Sequence, residues 1–377
     1  MPASAQESGS QPATGNGSGA CALVTGATGL VGSELAGRLL EVRPGGRLYL
    51  LTRSRQRIPD KLLQSGVSVL EGDVRAPGLG LSSGKEEELL GSVTEIIHCA
   101  ADTRFDLPLE ESREVNVTGT AHVLALAERC RRLTRLLHVS SVYAAGRTCG
   151  RIPEEPLDPP GRYSSSYQQT KFEAEQLAVR AMGALPVAIV RISSIIGDST
   201  TGRVRQFNHV HQLMKLFPRN HLLPLVPGDP RAPVDLVATD WVVDSLAWLL
   251  DGGFVAGRVF HLCSGPGFPV GEMIDLTRRV FETHPKATRW LPIRAPRLVS
   301  LAEYEEFVSH TRRQGHRLLS ELTRVLGYFL PHLAIHQLFE NSRTLLHLAA
   351  GKLAPPPVRD TYARVLAYCL DTDWGRD

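Results

Sequence analysis

The sequence predicts a doubly wound α/β fold, a parallel sheet covered by helices on both faces, followed by a smaller and mainly helical C-terminal region. Three observations carry this. Short apolar runs alternate with amphipathic segments from residue 20 to about 265, a glycine-rich turn joins the first run to the first amphipathic segment, and strand signals fade between about 266 and 350. Parallel strands are buried on both faces, so they read as continuous apolar runs, and the connecting helices read with a longer period. The pattern predicts strands at Cys21–Thr25, Arg47–Arg53, Val67–Glu71, Glu95–Ala100, Leu136–Ser141, Pro186–Ile192 and Arg258–Cys263. Helices are expected over Leu30–Glu41, Leu109–Arg131 and Tyr167–Met182. Pro355–Pro357 interrupts the helical tail before a last helix at about 359–370.

Residues 1–19 are rich in Ser, Gly, Ala and Gln, without a basic start or an apolar run, and read as a disordered leader and not a signal peptide. Residues 20–265 form the sheet domain, with inserted substrate loops at about 194–245. Residues 266–377 either complete a substrate pocket or present a dimer surface. Across 377 residues, 42% hydrophobic and 21% charged with a net charge of +3, nothing calls for nucleic acid or a membrane surface. The six cysteines show no paired spacing, and no apolar stretch is long enough to span a bilayer. These features suit a reducing, cytoplasmic setting.

The turn Val24-Thr-Gly26-Ala-Thr28-Gly29-Leu30-Val-Gly32 follows a strand and opens a helix. Gly26 permits a tight turn, Gly29 lets a pyrophosphate approach the backbone, and Gly32 allows close helix packing. Thr28 and Leu30 flank Gly29 at the helix start, where unpaired N–H groups and the positive dipole end favour phosphate. An ordinary strand–helix turn is the bland alternative, but a Rossmann-type dinucleotide loop requires this strand–turn–helix context. The second strand ends in Leu51-Thr52-Arg53-Ser54-Arg55, with no carboxylate for a ribose hydroxyl. A guanidinium at Arg53 suits a 2′-phosphate, so NADPH is expected over NADH. Asp73, with Val74 beside it, either meets the adenine or simply forms a turn. Ala100 and Ala101 close the fourth strand with small side chains that leave room for the cofactor, and His98 before them reads as a core histidine.

Tyr167 and Lys171 are four apart at the start of a helix, hence on one face. A phenol needs its pKa lowered to work as an acid–base group near neutrality, and a lysine ammonium a few ångströms away does that. With only 8 Tyr and 6 Lys in the chain, such a pair arises by chance roughly one time in ten. Ser141 ends the preceding strand at the place expected for a second donor to a substrate carbonyl. Ser140, Tyr143 and Tyr163 are rivals, though neither tyrosine has a lysine four residues on. His209 and His211 diverge on a helix without a further ligand, so no metal site is expected. No GxSxG elbow is present.

Together TGATGLVG at 25–32, HCAAD at 98–102, NVTGT around Asn116, HVSS at 138–141 and the Tyr167–Lys171 pair resemble the extended short-chain dehydrogenase/reductase superfamily. The resemblance covers about 20–265 and implies Ser141, Tyr167 and Lys171 as the catalytic triad. It also implies Asn116 as support for the catalytic helix, and Ile192 and Ile195 in the cofactor site. Arg191–Gly202, Pro227-Gly228-Asp229, Pro233–Val237 and Asp240–Asp244 look similar to the thioester reductase and fatty acyl-CoA reductase branch. So, more weakly, do Phe339–Arg343 and Tyr362.

That branch implies hydride transfer from NADPH to an acyl thioester on coenzyme A or on a carrier protein supplied in trans, giving an aldehyde or an alcohol. Arg203 and Arg205 are candidates for the carrier's phosphate, or plain loop arginines. The competing readings are a dehydrogenase or epimerase of a sterol-like alcohol or nucleotide sugar, and a non-catalytic NADP-binding sensor.

Overall fold

In the computed structural model the residues described are 19–376, apart from 160, 223, 291 and 316. Residues 1–18 of the expected leader lie outside them.

The seven predicted apolar runs are the strands of one sheet: β1 (Cys21–Thr25), β2 (Arg47–Thr52), β3 (Val67–Glu71), β4 (Glu95–His98), β5 (Arg135–Ser141), β6 (Val187–Ile192) and β7 (Val259–Leu262). All pair in parallel, in the order β3-β2-β1-β4-β5-β6-β7. Every residue of β1, β4, β6 and β7 is buried, as a sheet covered on both faces requires. The order reverses between β1 and β4, and a crevice opens there at the carboxyl ends of the strands.

The helices are α1 (Leu30–Val42), α2 (Ser83–Ser92), α3 (Leu109–Arg113), α4 (Gly119–Arg129), α5 (Ser166–Ala181), α6 (His209–Leu216), α7 (Thr239–Leu250), α8 (Val270–Thr283), α9 (Leu301–Arg313), α10 (Arg317–Leu326), α11 (Ser342–Ala349) and α12 (Val358–Asp371). Leu35, Ala36 and Leu39 of α1, with Val242 and Leu246 of α7 and Leu348 of α11, pack on one face of the sheet. Leu89 of α2, Val123 and Leu126 of α4 and Ala178 of α5 cover the other. Ser165 caps α5, its hydroxyl accepting from the Gln168 amide at 3.3 Å. The single helix expected over Leu109–Arg131 is broken into α3 and α4 by a π-helical turn at Glu114–Thr118, which carries Asn116.

The tail is mainly helical, as expected, with three short strand pairings added: Phe268–Pro269 pairs with Pro233–Val234, Arg297–Val299 with Leu225–Pro227, and Gln337–Phe339 with Gly150–Ile152. Two or three residues cannot display a period, and these strands are set by partners far away in sequence. A second apolar core, including Met214, Phe268, Phe281, Leu330 and Leu366, joins α6, α8 and α12 under these pairings.

A polar core ties the tail to the sheet. Arg191 on β6 and Glu175 on α5 are both fully buried and paired at 2.6 Å. Arg191 also donates to His261 Nε2 at 2.8 Å and to the Glu155 carbonyl at 2.7 Å, while Ser140 donates to Glu175 at 2.6 Å. His261 Nδ1 in turn donates to the Glu340 carbonyl at 2.6 Å. Glu154 accepts from the Arg343 and Thr344 amides, each at 2.8 Å. Among the described residues no helix is long and apolar enough to cross a membrane.

Candidate active site

The glycine loop is shaped by contacts that leave no room for side chains. Gly26 has φ +69°, and a Cβ there would lie 2.6 Å from the Ala100 amide nitrogen. A Cβ on Gly32 would lie 2.3 Å from the Gly26 carbonyl oxygen. The loop thus seats α1 directly against the ends of β1 and β4. The N-terminus of α1 has neither a side-chain cap nor an acidic residue in its first turn, so its free N–H groups face the crevice. Thr25 fixes the neighbouring strand: its hydroxyl accepts from the Ala100 amide at 3.2 Å and meets His98 Nδ1 at 2.8 Å. His98 Nε2 reaches Thr120 at 3.0 Å, so both ring nitrogens are satisfied, and burial and the Lys171 charge hold the ring neutral with a pKa of about 3.

Asn116 is buried and clamps three segments. Its carboxamide exchanges hydrogen bonds with the backbone of Asp102 at 2.7 and 3.0 Å and donates to Thr170 at 2.9 Å and Ser112 at 3.3 Å. Thr170 precedes Lys171, so Asn116 fixes α5 at the residue beside the predicted lysine. The Lys171 ammonium donates to the Val139 carbonyl at 2.9 Å. Ser141 donates to the Ile192 carbonyl at 3.4 Å and accepts from the Tyr143 amide at 3.2 Å.

A cleft of about 1100 Å³, open mouth included, brings most of these groups together. Ser141, Tyr167 and Lys171 line it with Gly26, Gly29, Leu30 and Gly32. Ala101, Ile192 and Ile195 line it as well. Thr28, Arg53, Asp73, Val74, Ala100 and Asn116 are not in its wall. Arg53 is exposed at the end of β2; hydrogen bonds from Arg75 hold the Asp73 carboxyl below its ordinary range and those from Arg104 do so for Asp102 against its burial, with the Arg53 charge a minor addition to both. The Asp73 carboxylate is held by the Arg75 backbone at 2.9 Å and guanidinium at 2.7 Å, the geometry of a turn-former. Val74 is buried against Gly119.

The expected effect of Lys171 on Tyr167 is not what this geometry gives. Burial pushes the Tyr167 phenol above its ordinary value, and the Ser141 hydroxyl, not the lysine, pulls it back. The ammonium is turned to Val139 and is itself desolvated, which brings its pKa down to about 8 against the smaller upward pull of Glu175 and Cys99. His98 and His138, buried beside it, are held neutral. A role that needs the charged ammonium is therefore lost as pH rises. We expect kcat/KM for the cofactor, which reports the free enzyme, to fall through a pKa near 8 on the alkaline side. A profile flat to pH 10 would remove Lys171 from the site's chemistry.

Sequence reasoning missed part of the wall. Tyr143, Ser194 and His209 also line the cleft, the Tyr143 hydroxyl lying 3.1 Å from both Ser194 Oγ and His209 Nε2. Phe105 stacks edge-on against Tyr143, Tyr167 and His209, with ring centroids 5.2 to 5.6 Å away. Burial lowers the His209 pKa to about 3, so the ring acts as a neutral hydrogen-bonding group. Weighing His209 only as a metal ligand obscured it. The available signals were the position of Tyr143 two residues after Ser141 and of Ser194 two residues after Ile192.

Comparison with known proteins places the chain among reductases and related folds. The family model described as male sterility protein matches residues 24–246. A putative fatty acyl-CoA reductase of Drosophila melanogaster is 26% identical, over 72% of this chain and 60% of its own length. Fatty acyl-CoA reductase 1 of Rattus norvegicus is 27% identical, over 70% of this chain and 62% of its own. The chain thus spans about three-fifths of the length of these relatives. The crystal structure of the terminal R domain from the myxalamid PKS-NRPS biosynthetic pathway superposes with a TM-score of 0.79 at 26% identity, covering 96% of this chain and 93% of that one. UDP-glucuronic acid 4-epimerase from Bacillus cereus in complex with NAD shares the fold, with a TM-score of 0.63 at 16% identity, covering 94% of this chain and 99% of that one.

Proposed function

The chain belongs to the male sterility protein family, and on that premise we propose that it is an NADPH-dependent reductase of acyl thioesters, carried on coenzyme A or on a carrier protein, giving an aldehyde or an alcohol. The observation that carries this reading is the meeting of Ser141, Tyr167 and Lys171 in one cleft with the glycine cradle.

The cradle fits a dinucleotide, because the space a Cβ would fill at Gly26 and Gly32 is taken by backbone and the first turn of α1 is uncapped. When bound, the nicotinamide supplies a hydride to the thioester carbonyl carbon. The Tyr167 phenol and the Ser141 hydroxyl donate to the carbonyl oxygen and stabilise the charge that develops there. Tyr167 delivers its proton to that oxygen, the Ser141 hydroxyl stabilises the phenolate left behind, and Lys171 would hold the ribose hydroxyls. Collapse of the hemithioacetal breaks the C–S bond, its hydroxyl proton passing to sulfur, and releases thiol and aldehyde; a second molecule of NADPH, with Tyr167 again the proton donor, would be needed to give the alcohol. Asn116 positions α5 through Thr170 and takes no part in the proton path.

Arg53 supports NADPH over NADH. Arg53→Ala should raise KM for NADPH about ten- to a hundredfold, the worth of a charge-assisted hydrogen bond, and leave KM for NADH unchanged. Equal changes for both cofactors would remove Arg53 from cofactor choice. The reading as a whole is tested by incubating the protein with NADPH and hexadecanoyl-CoA. Cofactor oxidation with matching release of coenzyme A thiol is expected, and absence of both with acyl-CoA and with acyl-carrier substrates overturns it.

A further inference from the structure

We propose that the apolar cavity enclosed by α6, α8 and α12 is the binding site for the acyl chain, and that it sets the chain length the protein accepts. This rests on the acyl-thioester reading above and assigns the part of the substrate that the catalytic cleft does not hold. The cavity measures about 610 Å³ with its open mouth, and its wall is mostly apolar. Its wall includes Met214 and Phe217 near the end of α6, Val270 and Ile274 of α8, and Tyr362 of α12.

The two hydroxyls in this wall have no proton left to donate. Thr277 donates to the Met273 carbonyl at 2.6 Å, and the Tyr362 and Thr277 hydroxyls bond each other at 2.7 Å. With the Thr277 proton on Met273, the Tyr362 proton goes to Thr277. A carboxylate or carbonyl would be desolvated here without a donor, so a hydrocarbon suits the wall best.

The cavity stands in line with the cleft. Leu333 borders both it and a smaller space walled by Tyr143, Ser194, Phe329 and His332, and Tyr143 and Ser194 also line the catalytic cleft. Helix α6 runs the same course, starting at His209 in the cleft and reaching Met214 at the cavity. Five residues of α-helix span roughly 7.5 Å, a distance that a few methylenes cover. The His209 ring lies on Phe329 at 4.3 Å between centroids, so the passage is apolar on that side. On the other, Tyr143, Ser194 and His209 satisfy one another by hydrogen bonds and leave no group that a chain must strip. A thioester held at Tyr167 thus has a route for its tail along Phe329 and Leu333, past Asp235, His332 and Gln337, which share the wall of the smaller space.

The test is a chain-length profile. Ile274→Trp fills the cavity without touching the cleft. We expect it to lower kcat/KM for hexadecanoyl-CoA about tenfold or more, since each excluded methylene counts, and to leave butanoyl-CoA unchanged. An equal fall for both, or no change in a variant that melts like the parent, overturns the assignment. A photoreactive diazirine fatty acid, crosslinked to the unaltered protein and mapped by mass spectrometry, gives a second answer that needs neither folding of a variant nor turnover. Labels on α6, α8 or α12 support the site, and labels confined elsewhere overturn it. If no thioester is reduced at all, the enzymatic reading falls, and the crosslink alone decides whether the cavity holds an acyl chain.

Discussion

Tyr167→Phe lowers turnover with acyl-CoA and NADPH by about 10²–10⁴-fold, the usual worth of a positioned acid–base group. The loss falls on kcat, because the phenol acts where charge develops on the substrate oxygen. The fold is expected to survive. The ring remains to pack against Phe105 at 5.2 Å between centroids, and no hydrogen bond of the native core depends on the hydroxyl other than its contact with Ser141. Stopped-flow measurement of hydride transfer, beside equilibrium binding of NADPH, separates the two effects. If turnover falls less than about tenfold while NADPH binding is unchanged, Tyr167 is not the proton donor.

Glu175→Leu removes about 3–5 kcal/mol of stability, the loss typical of breaking one side of a fully buried ion pair. Arg191 cannot discharge itself, and with Glu175 gone it keeps only neutral partners, His261 and the carbonyls of Pro153 and Glu155. Replacing Arg191 by Met in the same molecule recovers a large part of the loss, because the orphaned charge disappears and apolar groups of similar volume fill the space. Urea unfolding of the two single variants and the double variant gives the coupling directly. Additive losses would mean that the two residues matter for packing and not as a pair.

Much of the fold was legible because long elements carry their own pattern. The seven parallel strands show as apolar runs within a residue or two of their ends, and the loop from Gly26 to Gly32 is readable from glycines at positions where a Cβ meets backbone at 2.3–2.6 Å. The Tyr167–Lys171 spacing survives as a shared helix face. Three things were not legible. Strands of two or three residues in the tail have no period and owe their existence to partners such as Gly150–Ile152. The π-helical turn at Glu114–Thr118 follows from the way Asn116 is pulled between Asp102 and Thr170, which only the folded chain brings near each other. The acidity of Tyr167 was misjudged for the same reason. Spacing reports proximity, but burial and the direction of the Lys171 ammonium decide which charge state is favoured.

The pairing of Gln337–Phe339 with Gly150–Ile152, and of Glu154 with Thr344, has a meaning for biosynthesis as well. The partners are separated by about 190 residues, as in the bond from Arg151 to Glu340. A ribosome adding roughly 5–20 residues per second leaves the earlier segment waiting about 10–40 s for its mate. During that interval β1 to β5 can already be assembled, while Arg191 and His261 still lack the carbonyl of Glu340 that completes their network. Contacts this distant in sequence are slow to form, because the closure entropy of the intervening loop opposes them. The glycine cradle between β1 and α1 can therefore take shape well before Gln337–Phe339 pairs with Gly150–Ile152.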